Sequence, residues 1–153
     1  MKKLLFGLST AFIFLAIGLV AANAQTVSGS IGAVKRGGSA KGIVVLSIPG
    51  GLHTNSNRPS GENLIPTTVK VSAVGAKVSG VSYPRGKNRQ FAFSENTLNV
   101  YDGRAAFGFN LSVPANFKGN AVKIRAVVRY QACTDEVCYP PKTKEVTLTA
   151  KVQ

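Results

Sequence analysis

The chain has two cysteines, Cys133 and Cys138, separated by Thr-Asp-Glu-Val and followed directly by Tyr139, Pro140 and Pro141. A pair placed this way admits two chemistries. It can be a cross-link that staples a loop, or a working dithiol that passes electrons to another protein when a thiolate attacks a disulfide sulfur. Four intervening residues exclude the Cys-x-x-Cys spacing of thioredoxin-type motifs, and without a second pair there is no tetrahedral zinc set. Neither a metal nor an organic cofactor is expected. As a staple the pair closes a short loop and removes little unfolded-state entropy, about 2 kcal/mol at best. As an exchange site it is better placed, because a loop tip is open to a partner's thiol and Pro140-Pro141 stiffens the exit behind the second cysteine. Asp135 and Glu136, between the thiols, oppose thiolate formation and argue against a strongly oxidising cysteine. On the residues alone both uses stay open.

The elements that must hold this loop are strands. In "AVKIRAVVRY", Val122, Ile124, Ala126, Val128 and Tyr130 alternate with Lys123, Arg125 and Arg129, the two-residue period of a strand with one buried and one wet face. "KEVTLTAKV" repeats the pattern with Val146, Leu148, Ala150 and Val152 on one side, so the cysteines fall between the two clearest strands. "RAAFGFNLSV", "TTVKVSAV" and "KGIVVLSI" add three more strands, the last two rich in β-branched residues. Turn signals separate them at Pro49-Gly50-Gly51, Arg58-Pro59-Ser60-Gly61, Pro84-Arg85-Gly86, Asp102-Gly103 and Pro114-Ala115-Asn116. The spacing predicts an all-β fold, an immunoglobulin-like antiparallel β-sandwich of about seven to nine strands. The longest stretch without periodicity runs from Pro49 to Pro66 and contains His53, the single histidine of the chain. Alone, it reads as a packed or hydrogen-bonded loop histidine rather than a metal ligand.

The amino terminus indicates the compartment. Lys2 and Lys3 precede an apolar run from Leu4 to Val20 and an Ala22-Asn23-Ala24 cleavage site, the pattern of a secretory signal peptide over residues 1–24. An uncleaved membrane anchor is the alternative for this segment. Residues 25–153 then form one domain, large enough to bury a core without relying on a disulfide. The expected location is periplasmic or secreted, where the two thiols pair. Of the formal net charge of +13, two units come from Lys2 and Lys3, which leaves +11 on the mature chain. Such an excess suits an anionic envelope surface. The basic residues are nonetheless scattered, Arg85, Lys87 and Arg89 being the densest group, and no aromatic series accompanies them, so nucleic acid is not an expected partner.

The stretch "VVRYQACTDEVCYPPKTKEVTL" resembles the segment bearing the active-site cysteines in the periplasmic amino-terminal domain of the DsbD thiol:disulfide interchange proteins, with its Tyr-Gln-x-Cys lead and Cys-Tyr-Pro-Pro exit. "GLHTNSNRPSGENLIPTTVKV" and "VSYPRGKNRQFAF…LNVYDGRAAFGFNL" are similar to the same family, so the likeness runs from about Lys41 to Val152. It implies an immunoglobulin-like sandwich acting as an electron-carrying dithiol, a protein-disulfide oxidoreductase in the exchange sense. Cys138 matches the cysteine that forms mixed disulfides and Cys133 the one that resolves them. Tyr130, Tyr139 and Pro140 match the supporting loop. A shielding cap falls at about Phe91 to Leu98, with Phe91 or Phe93 as its aromatic lid, although "FAFSENT" replaces the acidic-acidic-aromatic run of well-known caps. The implied partners are protein thiols and disulfides, a membrane-embedded electron donor and periplasmic acceptors. With no transmembrane or thioredoxin-like segment after Val152, the donor is expected to be a separate polypeptide. A non-enzymatic immunoglobulin-like binding module with a structural disulfide is the alternative.

Overall fold

The alternation in "AVKIRAVVRY" builds a strand whose even-numbered side chains, Val122 through Tyr130, are all buried. A computed structural model of the protein describes residues 24–61 and 63–153, and the expected signal peptide, apart from Ala24, lies outside the described residues. The strands in chain order are β1 (Thr26–Ile31), β2 (Ser39–Ser47), β3 (His53–Asn55), β4 (Thr68–Ala73), β5 (Lys77–Ser82), β6 (Lys87–Arg89), β7 (Leu98–Tyr101), β8 (Arg104–Ser112), β9 (Ala121–Tyr130), β10 (Ala132–Cys133) and β11 (Lys142–Lys151). No helix occurs among the described residues. The count exceeds the expected seven to nine because β3, β6 and β10 span only two or three residues each.

All pairings between these strands are antiparallel, and they form three sheets: β1-β2-β8-β5, β11-β9-β4 and the smaller β10-β3-β7-β6. The fold is an all-β, immunoglobulin-like sandwich. Its two larger sheets share one apolar core, to which β2 and β8 contribute Val44, Leu46, Phe107 and Leu111, while β9 and β11 contribute Ile124, Val128, Leu148 and Ala150. Burying each valine, leucine, isoleucine or phenylalanine side chain here contributes about 1.5–3 kcal/mol. Tyr101 on β7, edge-to-face with Phe107 at 5.9 Å between ring centres, joins this core to the third sheet, and Tyr83, just after β5, packs on the same ring at 5.5 Å. That sheet has its own small apolar cluster of Phe91, Leu98 and Val100, with Leu64 packed on it.

Two local features explain how the chain reaches the third sheet. Asp102 and Gly103, the latter at φ 63°, turn the chain from β7 into β8, and the turn is a corner between sheets rather than the loop of a paired hairpin. Glycine accepts that left-handed backbone without steric cost. The Pro49 to Pro66 stretch is not structureless: its residues 53–55 form β3, and all three are buried. A strand wet on neither face shows no alternation, so periodicity alone does not reveal it.

Gly42 faces Phe109 across the β2–β8 pairing, and a Cβ at Gly42 would sit 2.2 Å from the Phe109 ring. Phe109 is itself buried. The Gly42→Ala variant is therefore expected to lose about 1–3 kcal/mol through overpacking. Urea unfolding checks this: the midpoint should fall while the slope stays unchanged, and an unaltered midpoint would show that the ring has somewhere to go.

Candidate functional site

The connection between β9 and β11 carries the cysteines. Its base is closed where Tyr130 pairs with Lys142, and the Tyr130 side chain is anchored in the main core, fully buried. The Tyr130 hydroxyl has no hydrogen-bond partner, and burial raises the phenol above its ordinary range. Above this base the chain makes a miniature hairpin. Cys133 pairs antiparallel with Cys138, the Tyr139 amide donates to the Ala132 carbonyl at 2.8 Å, and the Thr134 amide donates to the Val137 carbonyl at 2.8 Å. The Thr134 hydroxyl accepts from the amides of Glu136 and Val137, at 3.2 and 3.0 Å, and so holds Asp135 and Glu136 at the tip. A threonine hydroxyl supports a turn in this way by standing in for a backbone acceptor.

Cys133 and Cys138 are joined as a disulfide, their Cα atoms 4.0 Å apart. The two sulfurs have unlike surroundings. Cys133 belongs to β10 and is fully buried, whereas Cys138 is exposed. Val137 and Tyr139, on either side of Cys138, are exposed apolar residues at 53% and 45%. Pro140 is also exposed and follows them out of the turn. Beside Tyr139 lies a groove of about 390 Å³ lined by Gln25, Leu52, Ala132 and Lys142 among others.

The β10–β3 pairing brings His53 directly opposite Cys133. Directly opposed residues in an antiparallel pair project to the same face, with Cβ atoms roughly 4.5–5.5 Å apart. His53 is buried, and its Nε2 has no hydrogen-bond partner. Its imidazole is held below its ordinary titration range, first by loss of solvent and then by the Arg89 guanidinium, with Asp135 and Asp102 pulling the other way. The ring stacks on Phe91 at 4.1 Å between centres, and Phe91 stacks on Phe93 at 5.4 Å. Phe91 is buried in this stack while Phe93, its outer member, is 43% exposed.

The loop between β6 and β7 that carries these phenylalanines is closed on itself. Gln90 donates to the Ser94 carbonyl at 2.6 Å and accepts from the Thr97 hydroxyl at 3.1 Å, and the Ser94 amide donates to the Phe91 carbonyl at 3.1 Å. Arg89 ties the loop to its surroundings: its guanidinium lies 5.1 Å from the Phe91 ring centre, 3.8 Å from an Asp102 oxygen and 3.9 Å from an Asp135 oxygen. Lys87 also pairs with Asp102. Two members of the basic cluster seen in sequence are thus engaged in ion pairs, while Arg85 lines an open cleft of about 590 Å³ together with Arg58, Tyr83 and Asn99. Among the described residues, no three His, Cys, Asp or Glu side chains group as a metal site.

Residues 26–150 match the family described as thiol:disulfide interchange protein DsbD, N-terminal. The chain belongs to this family. The solved N-terminal periplasmic domain of ScsB from Proteus mirabilis has a similar fold, with a TM-score of 0.53 at 16% identity. That match covers 83% of this chain but 46% of the ScsB domain, so the chain spans about half the length of that structure. The GAE domain of GGA2p from Saccharomyces cerevisiae is a more distant likeness, with a TM-score of 0.45, 11% identity, and coverage of 81% of this chain and 88% of that one. No curated protein matches the chain in sequence.

Within the DsbD N-terminal domain, the sequence motifs located the cysteine loop but not its surroundings. His53 and Arg89 have no local spacing that ties them to Cys133, and the Gly-x-His stretch of the family likeness was the one pointer to the histidine. The Arg89 contacts generate a prediction. The Arg89→Ala variant loses a solvent-facing ion-pair set and one cation–π contact, each worth about 1 kcal/mol or less. Global stability is expected to fall by that order, and the Thr134 amide should exchange hydrogen severalfold faster while the β8 and β9 amides keep their protection. Unchanged exchange at Thr134 would show that Arg89 does not restrain the cysteine turn.

Proposed function

We propose that this protein is an extracytoplasmic thiol:disulfide exchange protein that passes reducing equivalents between protein partners through Cys133 and Cys138. The observation that carries the reading is the unequal exposure of the two cysteines. Exchange requires in-line approach of a thiolate to one sulfur of a disulfide, and an incoming thiolate meets Cys138, not Cys133. In the reduced protein the Cys138 thiolate attacks a partner disulfide. A Cys138–partner bond forms, the partner's own S–S bond breaks, and one partner thiolate leaves. Cys133 then attacks the Cys138 sulfur, which forms the Cys133–Cys138 bond and expels the second partner thiolate. Two electrons and two protons have moved to the partner. A thiol donor reverses the sequence through the same exposed sulfur.

The remaining features support the same assignment of roles. Val137 and Tyr139 give a partner apolar contacts beside the reacting sulfur, and the groove next to Tyr139 offers room for a segment of its chain. Phe91, stacked on His53 across from Cys133, and the more exposed Phe93 act as the shielding loop in this reading, with Tyr130 and Pro140 holding the cysteine turn in place. A signal peptide ending at Ala24 would deliver residues 25–153 to the periplasm as one domain, where a membrane-embedded protein serves as donor. Basic residues on the wet faces of the strands would steer acidic partners or an anionic envelope surface.

The alternative, a binding module with an inert bridge, differs in one observable. With Cys133→Ser, Cys138 is expected to accumulate as a mixed disulfide with a disulfide-bearing protein substrate, visible as a mass adduct that thiol releases. With Cys138→Ser the adduct should be lost. Equal trapping by both variants, or by neither, would contradict the assignment.

A further inference from the structure

We propose that His53 is the proton acceptor for Cys133, the group that allows a buried thiol to close the ring on Cys138. The inference rests on the exchange reading and deepens it. A thiol removed from water in apolar surroundings resists ionisation, and the thiol form is a poor nucleophile. Cys133 is fully buried, so the second half of the exchange needs a base inside the protein. The register places one there: His53 lies directly across from Cys133 in the β3–β10 pair.

The groups around the imidazole support that role. From the cysteine turn Asp135 faces it, from the end of β6 Arg89, and from the turn after β7 Asp102. Asp135 and Asp102 both lie in ion pairs with Arg89. Tyr101 on β7 has its hydroxyl occupied by Asn57 and the Pro84 carbonyl, at 2.7 and 3.2 Å. Loss of solvent first, and the Arg89 guanidinium second, favour the neutral imidazole against the two carboxylates, and His53 Nε2 is buried without a partner while the disulfide is closed. A buried polar atom left unpaired costs free energy. Reduction creates, on the residue opposite, a thiol proton to satisfy it. In the closing step the Cys133 S–H proton moves to the imidazole, and the Cys133 thiolate forms the bond to the Cys138 sulfur. The Cys138–partner bond breaks, and the proton passes on to the departing partner thiolate or to solvent.

The test needs no natural partner. Reduced protein is mixed with oxidised glutathione, and acid quench followed by mass analysis separates capture at Cys138 from ring closure by Cys133. The His53→Phe variant keeps an aromatic ring on Phe91. It is expected to leave capture within about twofold, to slow closure at neutral pH by roughly a hundredfold, and to make closure rise with pH as a lone thiol would. Closure with the wild-type rate and pH profile in folded His53→Phe would overturn the proposal. If that variant does not fold, the wild-type protein decides. Because the chain has one histidine, its ring nitrogen signals are unambiguous in NMR. The Nε2 shift and the titration midpoint should differ between disulfide and dithiol forms, and identical values in both states would overturn the proposal. Failure of Cys138 to capture glutathione at all would instead sink the exchange reading, an outcome separable from the role of His53.

Discussion

The two-residue pairing between β10 and β3 is the constraint on which the site depends. It draws one side of the cysteine turn into the third sheet, so that Cys133 is enclosed while Cys138, its partner across the miniature hairpin, stays at the surface. Without this pairing the turn would be an ordinary surface loop with two equivalent thiols. With it, the two sulfurs differ in access, in solvation and in neighbours, and a sequence of two exchange steps needs that difference.

So short a pairing cannot hold by itself, because a backbone hydrogen bond nets only about 1 kcal/mol. The remainder comes from the core. Tyr130 roots the base of the turn among Phe107, Ile124 and their neighbours. The buried Asn55 and Thr67 hold the chain on either side of the β3–β4 connection, through Asn55 Nδ2 to the Ile65 carbonyl at 3.1 Å and Thr67 Oγ1 to the Asn55 carbonyl at 2.6 Å. These bonds satisfy polar groups that would otherwise make a fully buried strand unfavourable. The 5.9 Å ring contact of Tyr101 on β7 with Phe107 then ties the third sheet to the main sandwich.

The parts of this arrangement that the sequence makes legible are those with local periodicity. β4, β8, β9 and β11 each have one more open face, so their alternation survives in the residue pattern, while β2, buried on both faces from Val44 to Leu46, is legible through its β-branched run, and the cysteine turn follows from the strands around it. β3 and β10 are buried throughout and too short to show any period, which is why the Pro49 to Pro66 segment reads as loop and His53 as a loop residue. His53 meets Cys133 only through the tertiary register of two strands 80 positions apart. Charge is similarly opaque: Arg85, Lys87 and Arg89 look like one cationic patch in the sequence, but Asp102 and Asp135, remote in the chain, engage two of them. The family motifs compensate in part, since they name the cysteine, histidine and cap stretches without showing how the strands bring them together.

The central claim is that the Cys133–Cys138 bond is a working redox couple rather than a staple, and its reduction potential tests this most directly. Equilibrating residues 25–153 against a graded thiol buffer, with alkylation to count free thiols by mass, yields that potential. The account predicts a value within the span of exchange proteins, about −120 to −270 mV. A bridge that stays closed below about −300 mV, where structural disulfides lie, would contradict it.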